Sequence, residues 1–126
     1  FLIEADSASS KSVNAFREFT LTAPKTGPGV LVLDSNHTHD HVLAELRALA
    51  PLLPLGSLVL VADTLIEELD PGTFSDRPWG VGNNPLTALN QFLAEDPRFT
   101  RAEHWSRRGL LTEFRDGIIE RRDAPG

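Results

Sequence analysis

Between Asp34 and His41 the chain reads DSNHTHDH, three histidines and two aspartates in eight positions, directly after the apolar run VLVL. Imidazole and carboxylate are the side chains best suited to hold a divalent metal or to move a proton near neutral pH. A further aspartate, Asp63, stands in the same relation to the apolar run SLVLVA. Neighbouring parallel strands lie about 4.8 Å apart, so carboxylates at their ends can share one small hard cation. Two carboxylates completed by waters and substrate oxygens suit Mg²⁺, which makes a substrate hydroxyl easier to deprotonate and orients it. A single strand-end aspartate usually only caps the next turn. Two of them on adjacent strands shift the balance towards a site.

The histidines invite a different chemistry, which their spacing argues against. The two-metal hydrolases of the β-lactamase type use His-x-His-x-Asp-His. In His37-Thr38-His39-Asp40-His41 the residue between the second histidine and the aspartate is missing. Val42 and Leu43 replace the glycines that usually follow, and only His104 lies elsewhere in the chain. His39 and His41 read as a solvated helix start. Asp34-x-Asn36-x-Thr38 echoes the nucleophile loop of haloacid dehalogenase-like phosphatases. That chemistry needs a lysine downstream, whereas Lys11 and Lys25 both precede Asp34.

The elements that must position these residues follow from hydrophobic patterning. FLIEA (residues 1–5) reads as a short strand ending in an Asp6-Ser7 turn or cap, followed by a helix from Ala8 to about Leu21. VLVLD (30–34) and SLVLVADT (57–64) are continuous apolar runs of strand length, the pattern of parallel strands buried on both faces. Between them Val42, Leu43, Leu46, Leu49, Ala50 and Leu53 recur at helical spacing, with Thr38 or Asp40 as cap and Pro54 with Gly56 as stop. A Gly- and Pro-rich loop runs from Leu65 to Gly82 and carries Phe74, Arg77 and Trp79. It reads either as a lid with an aromatic wall and a cation, or as a surface loop whose Trp79 packs on the sheet. Asn84-Pro85 then opens a helix with Leu86, Leu89, Phe92 and Leu93 on its buried stripe. Two late strands are expected near Phe99–Trp105 and Leu110–Arg115, with Asp116-Gly117 turning the chain into IIERR as a hairpin. The alternation predicts an α/β, Rossmann-like sheet with a C-terminal antiparallel hairpin, whose ligands sit beyond the carboxyl ends of the strands.

Bulk properties narrow the partners. At 126 residues with 40% hydrophobic content, the chain is one domain at most and globular. A formal net charge of -6 argues against nucleic acid as partner. No apolar run approaches membrane-spanning length, and cysteine is absent, which leaves a cytoplasmic protein as the expectation.

Asp34, Ser35, His37, Thr38, His41, Val42, Glu45, Leu46, Pro51, Leu52, Gly56, Ser57, Asp63 and Thr64 together form the pattern Asp-Ser-x-His-Ser/Thr, His-Val-x-x-Glu-Leu, Pro-Leu, Gly-Ser and a strand closing in Asp-Thr. This resembles the cephalosporin hydroxylase / rhamnosyl O-methyltransferase family, which has the S-adenosylmethionine-dependent methyltransferase fold. FLIEADS, GNNPLTALNQFLAEDPRF and RRGLLTEFRDGIIERR are similar to further family segments, so the resemblance spans nearly the whole chain. It implies an O-methyltransferase acting on a sugar or natural-product hydroxyl, with S-adenosylmethionine and Mg²⁺ as cofactors. An antibiotic-hydroxylase-type enzyme of the same family and a non-catalytic assembly module are the alternatives. The resemblance implies that Asp34 and Asp63 are metal ligands, together with a second acid just before Asp63, where this chain has Ala62. It also places Asp6 near the cofactor. His37 is open to three readings: general base, orienter of Asp34, or a helix-entry residue bonded to backbone.

A Gly-rich cofactor loop between a strand and a helix is not found, since neither Gly27–Gly29 nor Gly80–Gly82 follows a strand and opens a helix. The expectation is therefore a single partial domain over residues 1–126, lacking its N-terminal strands. Its missing N-terminal half, or a second copy in a homo-oligomer, would complete the sheet.

Overall fold

The computed structural model describes residues 2–23, 27–106 and 112–123. In chain order the elements are α1 (Ser10–Thr22), β1 (Val30–Leu33), α2 (His39–Leu49), a 3₁₀ turn (Ala50–Leu52) and β2 (Leu58–Val61). A second 3₁₀ turn (Thr64–Glu68), α3 (Pro85–Glu95), β3 (Phe99–Arg101), α4 (Glu103–Ser106) and β4 (Ile118–Arg121) complete it.

The four strands form one mixed sheet in the order β1-β2-β4-β3. β1 and β2 are parallel, in the register Val30 to Leu58 through Leu33 to Val61. β4 runs antiparallel to both of its neighbours, β2 and β3. The α/β character and the parallel pair match the expectation from sequence, while antiparallel pairs outnumber the parallel one.

Side chains alternate across the sheet, and the two faces have different fates. Leu33, Val59, Val61, Ile119 and Phe99 enter one buried core with Val42, Leu43, Leu46 and Leu49 of α2 and Ala88, Leu89 and Phe92 of α3. α1 adds Val13 and Phe16 at the margin of that core. On the opposite face Val30 and Val32 are 63% and 53% exposed. α2 and α3 therefore cover one side of β1 and β2, although both strands are apolar on both sides.

Local chemistry explains where the helices start. Ser9 caps α1 by accepting from the Ser12 amide at 3.3 Å. Asn84 caps α3 with a reciprocal capping box: its Oδ1 accepts from the Leu86 and Thr87 amides, and Thr87 Oγ1 accepts from the Asn84 amide. α2 begins at Thr38 without a side-chain cap bond. There Asn36 Oδ1 accepts from both the amide and the hydroxyl of Thr38, at 2.9 and 2.8 Å.

Three expectations need correction. Residues 2–5 form no strand, and Leu2 is 96% exposed. A strand needs a neighbour to satisfy its backbone, and the segment instead runs into the Asp6 turn. The strand expected across Phe99–Trp105 ends at Arg101 and gives way to α4. Of the strand expected over Leu110–Arg115, residues 110–111 lie outside the described residues, and 112–115 form no strand, with turns from 113.

Ile118–Arg121 is a strand, yet it pairs with β2 and β3 instead of with the segment before Asp116-Gly117. The cause is Thr64. Its amide and hydroxyl both donate to the Glu113 carbonyl at 3.1 Å, and the hydroxyl also donates to the Arg115 carbonyl at 2.5 Å. The chain before β4 is thus wrapped around Thr64 and cannot lie flat as a hairpin arm. Gly117 lies so close that a Cβ there would sit 2.4 Å from the Val61 carbonyl oxygen.

Candidate metal and proton-transfer site

Asp34 is the first residue beyond β1, and Asp63 is the second beyond β2. Because the two strands are parallel and adjacent, both carboxylates emerge at the same edge of the sheet. Asp63 adopts the left-handed conformation, with φ 55° and ψ 26°. Aspartate tolerates that region better than most residues, and here it ends β2 and starts the 3₁₀ turn.

His37, on the segment between β1 and α2, completes the group. One ligand atom each from Asp34, His37 and Asp63 can be chosen so that all lie within 4.8 Å of one another. His37 Nε2 is 3.4 Å from Asp63 Oδ2, an ion-pair distance that is long for a hydrogen bond. The Trp79 ring stands edge-on to the His37 ring at a centroid distance of 4.9 Å, and the Arg77 guanidinium lies 5.6 Å from the Trp79 centroid. Trp79 therefore borders the site. The loop that carries it is pinned by Glu67, which accepts from the Gly82 amide at 2.8 Å and from Asn84 Nδ2.

The donor set of two carboxylates and one imidazole fits a divalent cation. Ala62, at the position where a second acid was expected, is 1% exposed and offers no ligand. Asp6 lies apart from this group and is engaged locally. Its carboxylate accepts from the Ala8 amide at 2.9 Å, and its carbonyl accepts from the hydroxyls of Ser9 and Ser12 at 2.6 and 2.7 Å.

The other two histidines of DSNHTHDH are engaged in packing. His39 ties α2 to α3: its amide donates to Asn83 Oδ1, and its ring nitrogens lie 2.8 Å from Thr87 Oγ1 and 2.9 Å from Gln91 Oε1. His41 joins a half-buried polar group with Ser7, Ser35 and Glu45. The expectation of a solvated helix start is thereby corrected. Glu45 is the residue that patterning passed over. An acid three positions after Val42 and four before Leu49 lies on the apolar stripe of α2, and that was the available signal.

An apolar groove lies elsewhere. About 670 Å³ of mostly apolar groove lies between the end of α1, residues 27–30 and residues 52–55, at the amino end of the parallel strands. The carboxylates sit at the opposite end.

The family model for rhamnosyl O-methyltransferase/CmcI matches residues 1–122. The chain belongs to this family. The match covers nearly the full chain and includes the strand-end group. No curated protein and no solved structure matches the chain at a significant level. Among the described residues of this family member, no helix is long and apolar enough to cross a membrane.

Proposed function

We propose that this family member is an S-adenosylmethionine-dependent, metal-assisted O-methyltransferase that acts on a sugar or natural-product hydroxyl. The observation that carries the proposal is the convergence of Asp34, His37 and Asp63 at the carboxyl ends of two parallel strands. Asp34 and Asp63 hold the cation, Mg²⁺ by the hardness of its donors. When bound, the cation supplies Lewis acidity that makes an acceptor hydroxyl easier to ionise.

The chain's own residues supply the rest of the acceptor side. The two aspartates set the place where the hydroxyl approaches, and the Trp79 ring walls the site beside His37. His37 takes the hydroxyl proton on its imidazole, with Asp63 and Trp79 fixing the plane of the ring.

The described residues do not fit S-adenosylmethionine in the same way. They contain no Gly-rich loop between a strand and a helix, and the Asp6 carboxylate accepts from the Ala8 amide within its own turn. The cofactor side is therefore assigned to partner structure added along the outer edge of β1. Either further chain of the same protein or a second copy in a homo-oligomer would provide it. The edge position of β1 and its exposed Val30 and Val32 support that reading.

Titration calorimetry with Mg²⁺ and with S-adenosylmethionine tests the proposal, together with methyl transfer to glycoside acceptors. The expected result is Mg²⁺ binding that Asp34→Asn and Asp63→Asn abolish. His37→Gln is expected to keep the cation and to lower turnover about 10²-fold or more. If neither ligand binds, and the protein together with its sheet partner is also silent, the non-catalytic module replaces this reading.

A further inference from the structure

We propose that Glu45 is a positioning residue for Asp34 and acts through Ser35. The inference rests on Asp34 being a cation ligand, as argued above. It assigns a role to a buried acid in the layer behind the site.

Glu45 lies on the core side of α2 and is 1% exposed. A carboxylate so placed is costly unless donors reach it. One donor does: Ser35 Oγ donates to Glu45 Oε1 at 2.8 Å. Among the described residues, the other polar contact on that oxygen is His41 Nε2, at 3.5 Å. Oε2 has no partner among the described residues. Ser35 is thus the principal tie between the buried acid and the rest of the protein.

Ser35 directly follows Asp34, at the point where the chain leaves β1. Beyond β1 no ladder bonds hold the backbone, so the direction of the Asp34 carboxylate depends on what anchors its neighbour. The anchor is a side-chain hydrogen bond to Glu45, on the buried face of α2. Outer groups of this kind commonly decide how a ligand faces a metal.

Ser7 joins the same group from the N-terminal turn. Its hydroxyl lies 3.0 Å from His41 Nε2 and 3.3 Å from Ser35 Oγ. His41 Nε2 is also 3.3 Å from Ser35 Oγ. One ring nitrogen cannot make all three bonds at full strength, and the Ser35–Glu45 bond, at 2.8 Å, is the shortest link of the group. The N-terminal turn rests on this group, and Glu45 is its fixed point.

The test is the affinity of the full chain for Mn²⁺ alone, by titration calorimetry, with far-UV circular dichroism as a check on folding. Ser35→Ala and Glu45→Leu are each expected to weaken Mn²⁺ binding on the order of tenfold with an unchanged spectrum. Glu45→Gln keeps an acceptor oxygen for Ser35 and is expected to bind near the wild-type level. If Glu45→Leu does not fold, Ser35→Ala decides. Folded Ser35→Ala with wild-type affinity overturns the proposal, and so does Glu45→Gln that binds as weakly as Glu45→Leu. A wild-type chain that binds no Mn²⁺ overturns the metal reading itself and this proposal with it. That result is distinct from wild-type binding left unchanged in the variants.

Discussion

The two faces of the β1–β2 pair are built from nearly the same residue types, yet only one of them is buried. Val59 and Val61 are 0% exposed beneath α2 and α3, whereas Val32, on the neighbouring strand, is 53% exposed on the other side. Valine and leucine have no intrinsic preference for either face. The difference comes from the amphipathic helices that follow each strand, which supply one covering layer. The functional residues belong to neither face. They leave the strand ends sideways, where backbone ladders stop and polar side chains take over the anchoring.

Truncation in the covered layer should have the largest effect. Phe92 is 2% exposed and lies 5.0 Å, ring to ring, from Phe99. Phe92→Ala should cost about 3–5 kcal/mol in denaturant unfolding.

Gly117→Ala tests the junction where β4 joins β2. The new methyl would sit 2.4 Å from the Val61 carbonyl oxygen and 2.9 Å from Thr64 Cγ2. Backbone must shift to admit it, and a loss of about 1–3 kcal/mol is expected. Because β2 leads directly to Asp63, the same variant should also weaken Mg²⁺ binding in calorimetry.

On the open face Val32→Thr should change the stability of the isolated chain by less than about 0.5 kcal/mol. A markedly larger loss in thermal unfolding would break the comparison, because it would mean that this face is covered in solution. Repeating the measurement over a range of protein concentrations then shows whether a second copy provides the cover.

The smallest effect belongs to the rim of the helical layer. The Arg47 guanidinium, and after it the Gln91 amide, hold the Glu95 carboxyl down from 4.5 to about 2. A carboxyl lowered on folding stabilises the native state above its unfolded pKa and loses that contribution as the pH falls through its folded value. Glu95→Gln should therefore flatten the stability profile between pH 4.5 and about 2 and leave the slope above that range unchanged. The pair is solvent-exposed, so added salt should shrink the effect.

How much was legible in advance depended on whether the signal was local. The helix over His39–Leu49 follows from spacing, and that over Pro85–Glu95 from spacing and a cap within the same few residues. The two apolar runs read correctly as parallel strands whose ends placed Asp34 and Asp63 at one edge, but not as strands buried on both faces, since Val30 and Val32 are exposed. FLIEA had strand composition without a strand beside it, and composition does not report a neighbour. Asp116-Gly117 had turn composition, but Thr64, fifty-two positions earlier, had already claimed the carbonyls of Glu113 and Arg115.

By itself, the sequence determined α2, α3 and the β1–β2 pair, the two strand-end aspartates and the family, because periodicity and motif spacing are properties of neighbours along the chain. The tertiary structure alone decided that His37 stands against Asp63 and Trp79, that His39 and His41 serve packing, and that Glu45 lies buried behind Asp34. Those outcomes depend on which helix face meets which loop. Packing many weak contacts at once sets that relation, and no single stretch of residues carries it.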